Sequence, residues 1–133
     1  MILPRVLALA TAAIGVVAWA VHFQSGLVLS HYDAKAHLVV ARRVVDSLTP
    51  GWQQIGAGWL PLPHLLTFVP TQIELFYRTG IFASAVSIAS FAICAAASAR
   101  LVLTATGSAA GAIAAAALLT LNPNLLYLQA TPM

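Results

Sequence analysis

Asp33 and His37 lie four residues apart in the stretch His31-Tyr32-Asp33-Ala34-Lys35-Ala36-His37. A helix through it would set both side chains on one face, close enough to share a proton or a ligand. A carboxylate placed there can act as general base towards an acceptor hydroxyl or amine, with the imidazole tuning it or binding substrate. Both residues also have plainer uses, Asp33 as a helix cap and His37 as a local hydrogen-bonder. Arg42-Arg43 follows as a basic doublet. Guanidinium forks match phosphate oxygens, so a lipid-linked phosphate is one candidate partner. Headgroup anchoring, or a pair with Asp46, is the other use of the doublet. His64, between Pro63 and Leu65, is a further substrate-binding candidate or an interfacial hydrogen-bonder. Two candidate ligands are too few for a metal shell, so no metal site is expected. The chain carries no Gly-rich phosphate loop, nucleophile elbow or Cys/His zinc spacing. No cofactor is identified, and a need for a divalent metal is left open.

These residues stand in a chain that is otherwise almost uncharged. Residues 31–46 hold two of the three acidic residues, three of the six Lys/Arg and two of the four histidines. The whole chain of 133 residues is 61% hydrophobic and 7% charged, with a mean hydropathy of +0.93. Soluble domains are about 25% charged, and one of this size has too little interior to hide so much apolar surface. Long apolar runs must account for the excess. The net charge of +3 forms no basic stripe with interleaved aromatics, which argues against a nucleic-acid partner. The one cysteine, Cys94, lies in an apolar run and says nothing about redox compartment.

The expected architecture is all-α and polytopic. Three transmembrane spans are expected at about 6–23, 80–99 and 109–128, all within one membrane domain covering 1–133. The first could instead be read as a signal peptide, but its run is long for an h-region and the rest of the chain is itself apolar. Arg5 before the first span and Arg100 closing the second place both in the cytoplasm by the positive-inside rule. The loop 24–79 then lies outside. Within it a helix is expected over 34–48, capped by Asp33 and stopped by Thr49-Pro50-Gly51. Lys35, Arg42 and Asp46 form its polar face. Leu38, Val40, Ala41, Val44 and Val45 form an apolar side suited to the membrane surface. A second short helix starts near Trp59 and ends near Pro70, so the loop reads as interfacial helices on the outer face. Ser84, Ser87 and Ser90 offer one weakly polar helix face. Gly107, Gly111 and Ala115 offer a small-residue stripe for close helix approach.

Taken in order, an anchor leads to an outer loop that opens on an acid, then to a Pro-x-Pro element and an alanine-rich span ending in Asn-Pro. The carrying pieces are Tyr32-Asp33-Ala34-Lys35-Ala36-His37, Leu60-Pro61-Leu62-Pro63-His64-Leu65-Leu66 and Leu121-Asn122-Pro123-Asn124. This resembles the N-terminal part of the GT-C superfamily of polytopic glycosyltransferases, in its protein mannosyltransferase and aminoarabinose transferase-like branch. The resemblance implies sugar transfer from a polyprenyl-phosphate donor to an extracytoplasmic acceptor, with Asp33 as the acidic residue at the acceptor. Many members carry adjacent acids there, whereas Asp33 is followed by Ala34. Members have many more spans, so the chain reads as an N-terminal fragment, inactive by itself, whose partners include the remaining spans. A multi-pass protein of the bacterial inner membrane is the expected localisation. The alternative is a non-enzymatic polytopic protein, a transporter piece or an assembly subunit, whose surface loop binds lipid or a partner.

Overall fold

The computed structural model describes residues 2–56 and 58–133, and every regular element among them is helical. The long helices are α1, Leu3–Gln24, and a second helix, Ile81–Thr106, reached through the loop. Their 22 and 26 residues correspond to about 33 and 39 Å at 1.5 Å per residue. Both are long and apolar enough to cross a membrane. Between them lie α2, Tyr32–Arg43, α3, Pro61–Thr67, and α4, Glu74–Thr79. Single 3₁₀ turns occur at Trp52–Gln54 and Pro70–Gln72. Ile81–Thr106 is therefore α5, followed by α6, Ala109–Thr120, and α7, Pro123–Leu128.

Several ends differ from expectation. Arg100 does not close α5, which runs on to Thr106 and stops where Gly107 turns left-handed at φ +68°. A charge marks a hydropathy edge, but a helix ends where the backbone changes hand. The 109–128 segment is not one helix. Proline 123 has no N–H to donate, and its ring would collide with the carbonyl four residues back. Asn122 exploits the break: its Oδ1 accepts from the backbone N–H groups of Asn124 and Leu125 at 3.0 and 3.2 Å, opening α7. α6, with 12 residues, covers only about 18 Å.

In α2 the cap is His31, whose Nδ1 accepts from the Asp33 N–H at 3.3 Å. Asp33 sits inside the first turn and does not cap. The helix stops at Arg43 rather than Leu48. After Arg43 the Val45 and Asp46 N–H groups both turn to the Arg42 carbonyl, at 3.1 and 3.0 Å, and the Gly51 N–H reaches back to the Val44 carbonyl at 2.9 Å to close a loop. The buried stripe of α2 is Ala34, Leu38 and Ala41. This side faces the protein, against α3 and the turn at Pro70–Gln72, while Val45 is exposed.

α1, α5 and α6 pack side by side. Ala95 and Ala99 of α5 bury against Ala112 and Ala116 of α6, covered by Leu3, Leu7, Leu103 and Leu119. Small residues allow this close approach, but the packed face lies one residue on from the expected Gly111-Ala115 stripe, and Gly107 belongs to the turn. The serine face splits likewise. Ser84 is buried, Ser87 donates to the Met133 carbonyl at 3.0 Å, and Ser90 is exposed, because three-residue steps drift around a 3.6-residue helix.

After α6 the chain continues along α1. Buried Thr11 and Thr120 hydroxyls meet at 3.0 Å. The Gln129 amide donates to the Gly15 carbonyl at 3.3 Å, and the Tyr127 hydroxyl lies 3.0 Å from that of Ser30. Segment 109–133 thus travels from the Leu3–Leu7 end of α1 to the loop end. Outside these contacts the long helices present bare apolar surface. Of the 18 most apolar consecutive residues of each, only 11% in α1 and 28% in α5 are buried.

Candidate functional site

The chemistry-bearing loop residues separate into two clusters at one end of the bundle. The first joins α2 to α3. Tyr32 and Asp33 open α2, and His37 follows one turn later with its ring half-buried. Pro61 and Pro63, tolerated in the first turn of α3, set its direction and bring His64 beneath His37. The His37 Nδ1 and His64 Nε2 atoms lie 2.9 Å apart, with the rings stacked at 4.9 Å. Trp59 lies against His37 at 4.8 Å and edge-on to His64 at 6.3 Å. One of the two nitrogens must carry the proton and the other accept it. His64 is 1% exposed, and its Nδ1 has no partner among the described residues.

Burial pushes both imidazoles below the ordinary histidine range. At His37 the Asp33 charge works against this, and at His64 the neighbouring His37 adds to it. The pair is therefore neutral at pH 7, a single N–H between two rings. Below it lies a cavity of about 20 Å³, room for about one water, between His37, Thr67, Ser87 and Pro132.

Asp33 is half-exposed beside this pair. Its nearest ionic neighbour is the His31 Nδ1 at 3.9 Å. That nitrogen already accepts the Asp33 N–H, so in the same tautomer it has no proton with which to pair the carboxylate. Asp33 thus differs from the other two acids of the chain, both of which are held by arginine.

The second cluster ties α2 to α4. Arg42 donates through Nε to Asp46 at 3.0 Å and through Nη1 to Glu74 at 2.7 Å, with its guanidinium 4.3 Å from the Tyr77 ring centre. Arg78 donates to the other Glu74 oxygen. Hydrogen bonds from Arg42 and then Arg78 hold the Glu74 carboxyl below the usual carboxylate range. The basic doublet is therefore divided. Arg42 is engaged by carboxylates, whereas Arg43 is exposed with no side-chain partner among the described residues. Arg43 lies ten residues beyond Asp33 on α2, about 15 Å along the axis, too far to hold the same substrate group.

Of the residues singled out by spacing, the structure brings His37 and His64 together and places Asp33 beside them. It leaves Arg42 and Arg43 elsewhere. Trp59 and the imidazole pairing have no signal in the sequence, because 27 residues separate the partners. Among the described residues no group of three or more His, Cys, Asp or Glu could hold a metal ion. No family, curated protein or solved structure matches this chain.

Proposed function

We propose that this chain forms the N-terminal part of a multi-pass membrane glycosyltransferase that takes a sugar from a polyprenyl-phosphate donor on the extracytoplasmic face, with Asp33 as the general base. The membrane setting is supported by the bare apolar flanks of α1 and α5, since a core helix of a soluble protein would be mostly buried. A third crossing is made by α6 and α7 together, broken at Asn122-Pro123 but lying along α1. Asn122 satisfies two backbone N–H groups at the break, and the exposed residues Leu121 to Asn124 there would be covered by the remaining spans. Leu48, Trp52, Leu60, Leu62 and Val69, all exposed on the loop, lie in the headgroup layer.

The observation that carries the catalytic reading is the state of the three acids. Asp46 and Glu74 are held by arginines, while Asp33 is half-exposed, has no Lys or Arg partner among the described residues, and is not spent as a helix cap. In the proposed step, an acceptor hydroxyl attacks the anomeric carbon as Asp33 takes its proton. The carbon–oxygen bond to the polyprenyl phosphate breaks, and the phosphate leaves with the electron pair. His37 and His64 hold the wall beside the acceptor. Arg43 anchors the loop to headgroups, and Arg42 braces α2 on α4.

The test is Asp33→Asn in the full-length parent protein, in native membrane vesicles supplied with a labelled polyprenyl-phosphate hexose. Loss of a general base should lower turnover ~10²–10⁴-fold, with protein abundance unchanged. Near-normal transfer by the variant would remove Asp33 from the reaction. No transfer by the unmutated full-length protein would favour the non-enzymatic reading, in which the Arg42–Glu74–Arg78 brace holds the loop in shape for a partner.

A further inference from the structure

At the end of the bundle opposite the loop, Arg5 and Arg100 border one groove between α1 and α5, floored by Pro4, Ala8, Ala96 and Ala97 and extending to Ile93. The lining residues on α5 recur at Ile93, Ala96, Ala97 and Arg100, one continuous helix face, and those on α1 at Pro4, Arg5 and Ala8. From Arg100 to Ile93 the groove reaches about 10 Å along the axis, from a charged mouth into an apolar slot. Its volume is about 370 Å³, roughly a dozen times the ~30 Å³ that one water occupies in the liquid. The alanines keep the slot open, where larger side chains would fill it.

The two arginines at the mouth are exposed, and neither guanidinium makes a hydrogen bond or ion pair among the described residues. The composition explains why. The chain has three acidic residues, Asp33, Asp46 and Glu74, all in the loop at the other end. Arg42 and Arg78 there are neutralised by carboxylates, and Arg5 and Arg100 have no such partner. A guanidinium pair over an apolar slot is complementary to an anionic group carrying a hydrocarbon chain.

We propose that this groove binds one anionic phospholipid of the cytoplasmic leaflet, its phosphate between Arg5 and Arg100 and an acyl chain in the slot over Ala8, Ala96 and Ala97. The site rests on the membrane reading above and is independent of the sugar-transfer step. The lipid would fasten α1 to α5 at the end where no loop structure holds them.

Membrane fractionation comes first. Recovery in the soluble fraction would overturn the membrane reading and this site together. Protein from the membrane fraction is then purified in mild detergent and titrated with short-chain phosphatidylglycerol, short-chain phosphatidylcholine or inorganic phosphate. Binding is read by native mass spectrometry and by thermal shift. Phosphatidylglycerol should bind at one site and raise the melting temperature, and the other two should not. Arg5→Gln/Arg100→Gln should weaken binding about 25-fold, a factor of about five for each arginine. Ala97→Leu, which fills the slot and leaves both charges, should weaken it as well. Equal binding of phosphatidylcholine would overturn the proposal. So would equal stabilisation by phosphate, which would show a simple anion site, or unchanged binding by either variant.

Discussion

Replacing either imidazole of the α2–α3 pair by phenylalanine keeps a ring and removes the hydrogen bond, yet the two replacements should not be equivalent. His37→Phe leaves His64 buried with neither ring nitrogen partnered, since its Nδ1 has no partner to begin with. His64→Phe strands one nitrogen of a half-buried ring that water can reach, and removes the orphaned Nδ1 at the same time. A neutral hydrogen bond contributes about 0.5–1.5 kcal/mol net, whereas a stranded buried polar atom costs about 1–3 kcal/mol. H37F should therefore lose about 1–3 kcal/mol and H64F about 1 kcal/mol or less. The assay is unfolding in mild-detergent micelles titrated with a denaturing detergent, followed by tryptophan fluorescence, to which Trp59 against His37 contributes. Acid should act in the same direction. Both imidazoles are held below the ordinary histidine range, chiefly by burial. As pH falls below about 6.5 the unfolded chain takes up protons that the folded one refuses, so stability declines towards the lower folded value. It should be full at pH 7.5 and reduced at pH 5.5, and H37F/H64F should lose most of that slope. A greater loss in H64F than in H37F, or a native protein equally stable at both pH values, would refute the reasoning.

Gly15→Leu should destabilise by about 1–3 kcal/mol in the same titration, the usual penalty for overfilling a packed site. A Cβ at Gly15 already lies 2.9 Å from the Gln129 Oε1 and 3.2 Å from the Ile88 Cγ2, and native stability in the variant would mean that α1 does not cross α5 there. Topology is checked by single cysteines at Lys35 or Leu48, both exposed, in a Cys94→Ala background. Each should react with an impermeant thiol reagent in intact cells, and labelling only after permeabilisation would invert the topology and with it the sugar-transfer reading.

Composition and hydropathy determined what is local. Apolar runs over α1 and α5 need no partner to declare themselves helices, whereas the expected 109–128 span passed through the break that Asn122 caps. Pro-x-Pro at 61–63 sits where α3 begins, because proline is tolerated only in a first turn. The ends were less legible. Arg100 lies inside α5 and Leu48 lies outside α2, since hydropathy edges report solvent preference while helix ends report backbone geometry, at Gly107 and in the loop that the Gly51 N–H closes on the Val44 carbonyl. The site was legible only residue by residue. Asp33, His37 and His64 stand out as polar groups in an apolar chain, but nothing in their spacing says that His37 bonds His64, that His31 relieves Asp33 of capping, or that Glu74 claims Arg42. Those outcomes depend on contacts across 27 and 32 positions, made only when α3 and α4 fold back on α2. A single N–H shared between buried rings, or a carboxylate neutralised by a distant arginine, is a property of the packed chain, and packing decided which acid was left free.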